Sequence, residues 1–432
     1  MKQTTITLLL TLFSITVVYS QQDTLVFKYR RLAVDYQQSV KMAEKGLEGA
    51  SSLVDASKAG FMPRIDVNGN YKFNGNPIQL GVTDESPDGQ ELTNMYELGL
   101  WVSQPILTGG YLKNTKNLAM ARTEVARSYV GLSEQNTMLE ADAHYLSVVT
   151  KKEISNLSIK YRDAIGLFQQ VIQDRVDEEV VGLNELYQAK VRYNDAQYEV
   201  IRMEKEFSVS LMGLNRLTGI PLETQSQHMD SLLIVDWKQP VESRVEKALE
   251  QRPEVSLKEN EMAMNKYGEE IAASHYNPQF NVGAGGTYGA PSPGLLTDPG
   301  ANYHVTARLA IPVFYWGQKK DEVFAKQMQT EQTKLELENT RDIITLQVTA
   351  GYYELERTQE QVDFAFSALD NASKNVEVML DRYYEGLSSV LEVLDAQLFW
   401  QKSYLNYIEA KFELNIAYSS YMKAMGELRT SN

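Results

Sequence analysis

The chain has 432 residues, of which 43% are hydrophobic, and its mean hydropathy of -0.35 excludes a polytopic helical membrane protein. Its formal net charge of -15 argues against a nucleic-acid binder, which normally has a basic face. The absence of cysteine excludes disulfides, thiolate metal sites, a cysteine nucleophile and lipidation at an N-terminal cysteine.

Residues 1–20 predict a secretory signal peptide. Lys2 supplies a positive start, residues 6–18 form an apolar run, and Ser20 ends an acceptable cleavage context before Gln21. A single membrane anchor is the alternative, but the run is shorter than the roughly 20 residues that a spanning helix needs. We therefore expect an exported protein without a helical membrane span.

The first half of the chain predicts helix, strand, loop, strand, long helix, reversal and helix. Residues 23–58 have helical spacing, and alternation predicts strands at about 64–74 and 95–105, separated by a turn-rich loop. Trp101 is an exception, because it stands among the polar or small residues of the second strand. The following long helix has apolar residues at a spacing of seven, interrupted once by a four-residue slip, which predicts a coiled coil.

The same order of elements recurs in the second half. Arg175, Pro105 and Gly110 each have a counterpart of the same type 207 positions later. The repeat predicts strands at about 279–288 and 302–312, a second long helix and a second reversal. The second long helix has apolar residues at an unbroken spacing of seven, namely Val348, Leu355, Val362, Leu369, Val376 and Tyr383. We therefore divide the chain into a signal peptide at 1–20, a first repeat at 21–222, an equatorial linker at 223–241 and a second repeat at 242–432.

The strands have the length and the alternation of membrane strands. About ten residues cross a bilayer in a tilted barrel strand. Four tyrosines near the predicted strand ends suit an aromatic girdle, namely Tyr71, Tyr96, Tyr288 and Tyr303. A soluble sandwich would also alternate. Because four strands cannot close a barrel and an open edge is not tolerated in lipid, membrane strands would require several chains to share one barrel.

The duplicated layout, the strand-to-helix junctions at 104–110 and 311–317, and above all residues 383–396 (YYEGLSSVLEVLDA) resemble the TolC family of outer-membrane efflux proteins. The resemblance implies an α+β membrane protein that forms a homotrimer. Its twelve-stranded barrel would lie in the outer membrane, with a tunnel of long helices in the periplasm. It would export small molecules or proteins in a tripartite efflux or type I secretion system, with a periplasmic adaptor (membrane fusion protein) and an inner-membrane transporter of RND or ABC type.

The resemblance also implies a gate at the second reversal. Glu392 and Asp395 match the family's acidic rings, Tyr383 matches an aromatic on the preceding helix, and Glu185 matches an acidic residue of the first copy. Three further residues mark the two reversals, namely Gly386, Arg382 and Arg175.

One position departs from the family pattern. Ser388 stands where the best-known members have an arginine that helps to lock the closed state. Independently of the family, threefold copies of Glu392 and Asp395 around a narrow opening would favour cations. The alternative is that both acids simply suit the start of a helix.

Enzyme signatures are not evident in the sequence. The four histidines have no metal-binding spacing, and the glycine-rich run at 283–289 precedes a Pro-rich loop rather than the helix of a phosphate site. We expect no enzyme, no cofactor and no metal. An alternative to the channel is an exported periplasmic coiled-coil structural or adhesin protein, which would explain the helices but not the strands.

Overall fold

The computed structural model describes residues 22–80, 90–225, 242–290 and 298–430. The predicted signal peptide and most of the predicted linker, with a short apolar run at 232–235, lie outside these residues. The elements in chain order are α1 (Gln22–Tyr36), α2 (Gln38–Ala59), β1 (Arg64–Leu80), β2 (Gln90–Thr108), α3 (Tyr111–Asp177), α4 (Leu183–Thr218), α5 (Glu242–Gln251), α6 (Pro253–Ser274), β3 (Gln279–Ala290), β4 (Gly300–Ala310), α7 (Gln318–Tyr384) and α8 (Val390–Ala424).

The first helix and the first two strands differ from the sequence-based expectation. The first helix is interrupted at Gln37. Strands β1 and β2 continue into the predicted loop, as far as Leu80 and from Gln90. The Asn, Gly and Pro residues there are poor strand formers. Pairing with the partner strand outweighs that preference, and the ladder absorbs the misfit in a register shift between Phe73 and Ile78.

Backbone geometry repeats with the sequence. Every described residue with a left-handed backbone has a partner 207 positions away that is also left-handed. The four pairs, with φ in degrees, are Gly109 (61) and Trp316 (52), Gly110 (97) and Gly317 (91), Glu179 (58) and Gly386 (74), and Gly219 (73) and Gly426 (74). The duplication therefore extends to the turns, and two of these positions have lost the glycine that the conformation favours.

The described chain separates into two compact units, which do not coincide with the two repeats. One unit comprises residues 43–130 and 253–340, and the other comprises the remaining parts of the chain. Each unit therefore contains a part of each repeat. The unit of residues 43–130 and 253–340 contains the four strands, and the other unit contains both reversals.

The strand-containing unit holds one antiparallel sheet in the order β1-β2-β3-β4. Pro105 lies inside β2, where proline cannot donate to the ladder. The pairing of β2 with β3 shifts between Pro105 and Leu107, so this irregularity accommodates the proline.

The reversal-containing unit has its core along the helix seams. Two predicted seam residues of α7, Leu369 and Val376, are half-buried, and the other four are almost completely buried, namely Val348, Leu355, Val362 and Tyr383. A buried ion pair joins α1 to α3, with Arg30 Nη2 2.6 Å from Asp142 Oδ2, and Arg30 Nη1 also donates to the Arg429 carbonyl at 3.0 Å. Among the described helices, none is both long enough and apolar enough to cross a membrane.

Candidate membrane face and channel mouth

One face of the sheet is a continuous exposed apolar surface. Where all four strands pair, each cross-strand row has one residue from each strand, as in the row of Val67, Leu100, Gly286 and Tyr303. Tyr303 is 86% exposed and Val305 is 79% exposed. An exposed apolar patch of this kind marks a surface that contacts lipid or another protein. We call it the membrane face; its apolar side chains are Ile65, Val67, Tyr71, Phe73, Tyr96, Leu98, Leu100, Val102, Val282, Ala284, Tyr288, Tyr303, Val305, Ala307 and Leu309.

All four predicted girdle tyrosines lie on the membrane face. Tyr288 and Tyr303 are near strand ends, as expected. Tyr71 pairs directly with Tyr96, but β1 and β2 continue beyond them, so these two rings lie within the strands. The opposite face, which we call the polar face, carries polar and charged residues such as Asn68, Asn302 and Arg308, together with Trp101.

The second reversal has residues that suit each of its backbone positions. Gly386 is left-handed, its N–H donates to the Tyr383 carbonyl at 3.0 Å, and the Leu387 N–H donates to the Arg382 carbonyl at 2.7 Å. This is a Schellman ending for α7, which satisfies carbonyls that the helix leaves free. The side chain of Arg382 adds a longer bond to the Leu387 carbonyl, at 3.3 Å.

Helix α8 begins with a capping box that uses one of the predicted gate acids. The Glu392 N–H donates to Ser389 Oγ at 3.3 Å, and the Ser389 N–H donates to Glu392 Oε2 at 2.7 Å. The Ser389 backbone N–H, followed by its hydroxyl, lowers the pKa of Glu392 below its ordinary value of 4.5. Glu392 is exposed, so the same carboxylate both caps the helix and carries a negative charge at the surface.

The first reversal makes the same turn with less suitable residues. Glu179 is left-handed, its N–H donates to the Val176 carbonyl at 3.0 Å, and the Val180 N–H donates to the Arg175 carbonyl at 2.9 Å. The N-cap of helix α4 is Gly182, which has no side chain to cap the helix. Glu185 lies half-buried in the first turn of α4, where an acid suits the helix dipole.

Arg175 joins the two reversals. Its Nη1 donates to the Tyr383 carbonyl at 2.9 Å, and its Nη2 donates to the Tyr384 carbonyl at 3.2 Å. Its guanidinium carbon also lies 4.6 Å from the centroid of the Tyr383 ring. A cation at the last carbonyls of α7 is favoured by the helix dipole and by a cation–π contact.

Tyr383 lies in the core of the reversal-containing unit. It is 2% exposed, and its ring packs edge-on against Phe168 at 5.0 Å between centroids. Its hydroxyl is buried without a hydrogen-bond partner among the described residues. The predicted gate aromatic therefore supports the reversals from inside.

Asp395 is paired within its own chain. Arg192 Nη2 lies 3.5 Å from Asp395 Oδ1, and both side chains are partly exposed. Sequence reasoning missed Arg192, because a pair separated by 203 residues leaves no local pattern. It also missed Ser389, although S-x-x-E before an apolar run is a capping signal. Among the described residues, no group of three or more His, Cys, Asp or Glu could hold a metal ion.

Comparisons with known proteins give the class of fold. The chain is similar to the CmeC outer membrane channel of Campylobacter jejuni, with 16% identity, a TM-score of 0.77, and coverage of 94% of this chain and 87% of that chain. It is also similar to the outer membrane protein VceC of Vibrio cholerae, with 14% identity, a TM-score of 0.78, and coverage of 94% and 97%. The described chain therefore has the fold of outer-membrane channel proteins.

The sequence comparison finds one family model, which covers part of the chain. Residues 245–427 match the family described as outer membrane efflux protein. No curated protein sequence matches the chain. The predicted resemblance to the TolC-like outer-membrane efflux proteins is therefore confirmed, through the sequence of the second repeat and the fold of the described chain. The predicted class of function, an efflux channel, and the predicted location in the outer membrane agree with the description of the family that matches these residues.

Proposed function

We propose that three copies of this chain form one outer-membrane channel, with the membrane face toward lipid and the polar face toward a water-filled interior. The observation that carries this proposal is the combination of a continuous apolar face with two edge strands, each of which has a paired neighbour on one side only. Within the described residues, β1 and β4 each pair with a neighbouring strand on one side only. In lipid, an edge without hydrogen bonds is too costly, so β4 of one copy has to pair with β1 of the next.

The number of copies follows from the family rather than from the sheet. Two copies would already supply the eight strands with which single-chain barrels begin. The family resemblance favours three, with the long helices assembled below the barrel in the periplasm. The same resemblance supports a periplasmic adaptor and an inner-membrane transporter of RND or ABC type as partners. The cargo would be small molecules or proteins that enter from the periplasm.

The second reversal forms the periplasmic mouth in this proposal. Threefold copies of Glu392 and Asp395 would place six carboxylates around the opening, which favours cations. Tyr383 contributes by packing rather than by lining the opening, since its side chain is buried.

Two arginines take the place of the family arginine that is absent at Ser388. Arg175 holds the last carbonyls of α7, and Arg192 holds Asp395 near the start of α8. Together they tie α7 and α8 to α3 and α4. Opening that separates these helix pairs would have to break both ties.

Cell fractionation followed by native mass measurement tests the channel. We expect a trimer in the outer membrane that resists heating in detergent and conducts ions in planar bilayers. A soluble monomer in the periplasm would instead support the coiled-coil structural or adhesin alternative.

The mouth is tested by removing its charge without disturbing the capping box. In a double variant, Glu392→Gln keeps an oxygen for Ser389, and Asp395→Asn removes the ion pair with Arg192. We expect a higher single-channel conductance and weaker block by multivalent cations. Glu185→Gln is the matched control for the first copy and should have a smaller effect. An unchanged conductance in the double variant would place the constriction elsewhere.

A further inference from the structure

Trp101 breaks the alternation of β2, and its side chain has a defined position on the sheet. On the polar face, one cross-strand row consists of Asp66, Trp101, Gly285 and His304. Gly285 contributes no side chain, so a gap is left between Trp101 and His304. The indole fills that gap.

Both rings of the indole lie over glycine backbone. A Cβ atom on Gly285 would be 2.4 Å from Trp101 Cε3, and one on Gly99 would be 2.8 Å from Trp101 Nε1. Distances this short mean that the indole occupies the space of two missing side chains. One face of the indole therefore rests on the sheet, and the other face points away from it. The glycine at 285 in the run at 283–289 thus has a packing reason.

His304 borders the indole on the far side of Gly285. The two ring centroids are 4.5 Å apart, and the ring planes are inclined by 59°. An aromatic ring that covers a strand glycine is a known means of stabilising a sheet. Here the Trp101 ring also forms an aromatic surface that lies on the sheet, and the His304 ring borders this surface at an angle. Both side chains are partly exposed.

Side chains of both charge signs lie on the polar face beside the two rings. Asp66 accepts a hydrogen bond from Arg64 Nε at 2.9 Å, so neither sign dominates there. Recognition would therefore come from the ring surface, because an aromatic face stacks on planar rings with little regard to their other groups.

We propose that Trp101 and His304 form a binding ledge for planar aromatic solutes. If the proposed function holds, three such ledges project into the barrel interior at one level, so the inference rests on that function for its location. Each ledge would slow the passage of planar aromatic cargo and narrow the pore for ions.

Two planar dyes of opposite charge test the ledge, namely cationic proflavine and an anionic pyrene sulfonate. Their fluorescence polarisation with the purified protein in detergent measures binding. Their block of current in planar bilayers tests whether the bound dye lies in the pore. In the Trp101→Ala variant we expect roughly tenfold weaker binding of both dyes, as for the loss of one stacking side chain. Trp101→Phe should retain part of the binding.

Two further variants separate the ledge from general effects. Leu100→Ala changes the neighbouring residue on the membrane face and should leave dye binding unchanged. Gly285→Ala keeps the tryptophan but displaces its indole, and should weaken binding about as much as Trp101→Ala. If Trp101→Ala does not assemble, Trp101→Phe and Gly285→Ala decide the question.

The outcomes distinguish the ledge from the channel. Wild-type binding in Trp101→Ala or Gly285→Ala overturns the ledge, and so does weakened binding of only one dye, which would indicate charge selection. Binding that depends on Trp101 in a protein that forms no channel keeps the ledge and overturns the proposed function. Binding that depends on Trp101 without any block of current overturns the location in the pore.

Discussion

The two helix reversals have the same backbone and different side chains. Each has a left-handed residue four positions before the first residue of the following helix. This residue is Glu179 in the first reversal and Gly386 in the second. The second adds a capping box at Ser389, whereas the first begins its helix at the bare Gly182. The comparison shows that the duplicated hydrogen bonds preserve the turn even where the residues no longer favour it.

The two reversals also differ in what they contribute to each other. Arg175, at the end of the first long helix, donates to carbonyls at the end of the second. Its counterpart Arg382 donates only within its own reversal in the described contacts, to Leu387. Among the described contacts, the arginine of the first reversal therefore binds the second reversal, and the arginine of the second does not bind the first. Substitutions at equivalent positions test this asymmetry.

The largest expected effect is at Tyr383, whose counterpart is Val176. Tyr383→Ala should lower the free energy of unfolding by about 3–5 kcal/mol, as expected for loss of a buried aromatic ring. Val176→Ala should cost less, because Val176 is smaller and only partly buried. Denaturation of the purified protein in detergent, followed by helical circular dichroism, measures both.

Tyr383→Phe is the control for this pair. It removes a buried hydroxyl without a hydrogen-bond partner among the described residues, so stability should stay near that of the wild type or rise. A loss as large as that of Tyr383→Ala would contradict this and would mean that the hydroxyl is bonded in the assembled protein.

Smaller effects, opposite in sign to each other, are expected for substitutions at the two left-handed positions. Gly386→Ala should destabilise the second reversal by about 1–2 kcal/mol, because a Cβ disfavours this conformation. No atom lies within 4 Å of a Cβ built on Gly386, so the cost is conformational rather than steric contact with a neighbour. Glu179→Gly should stabilise the first reversal, although the greater freedom of glycine in the unfolded chain offsets part of the gain.

Amide hydrogen exchange at the start of α4 and α8 reports the two reversals separately. The asymmetry is contradicted if Glu179→Gly loosens the first reversal, or if Gly386→Ala leaves exchange in α8 unchanged. Either result would mean that contacts between copies determine the turns.

The capping box predicts a dependence on pH. The pKa of Glu392 is lowered in the folded protein, so its contribution to stability is complete above the ordinary pKa of 4.5 and is lost as the pH falls through the lower folded value. Ser389→Ala should cost about 1 kcal/mol near neutral pH, as for other N-caps. Thermal unfolding between acidic and neutral pH should show a smaller acid-induced loss in Glu392→Gln than in the wild type. Equal losses would assign the acid sensitivity to other groups.

The sequence predicted features that recur or alternate. The seven-residue spacing of α7 identified Val348, Leu355 and Val362, which are buried, and alternation separated the two faces of the sheet. The spacing of 207 positions between the repeats also makes Glu179 the counterpart of Gly386. These features are local or periodic, so the amino-acid sequence alone is enough to predict them.

Features that depend on contacts between distant segments were not predictable. Arg30 and Asp142 belong to different helices, and nothing near either residue indicates the other. The extension of β1 to Leu80 follows from pairing with β2, against the local preference of its residues. Trp101 was recognised as an exception, but its seat on Gly285 required the register of β3.

The smallest expected effect is at the bare cap of α4. Gly182 has the extended backbone of an N-cap, with φ -82° and ψ 154°, close to the -85° and 161° of Ser389. Gly182→Ser should therefore stabilise the start of α4 by a few tenths of a kcal/mol, because a hydroxyl can accept the hydrogen bond that glycine cannot. A new Cβ would meet the Asn184 side-chain oxygen at 2.5 Å, but that side chain ends in a flexible amide that can move. Slower hydrogen exchange in the first turn of α4, without change in α8, would show that the first reversal lacks only a capping side chain. Faster exchange would show that the present position of the Asn184 side chain already stabilises this turn.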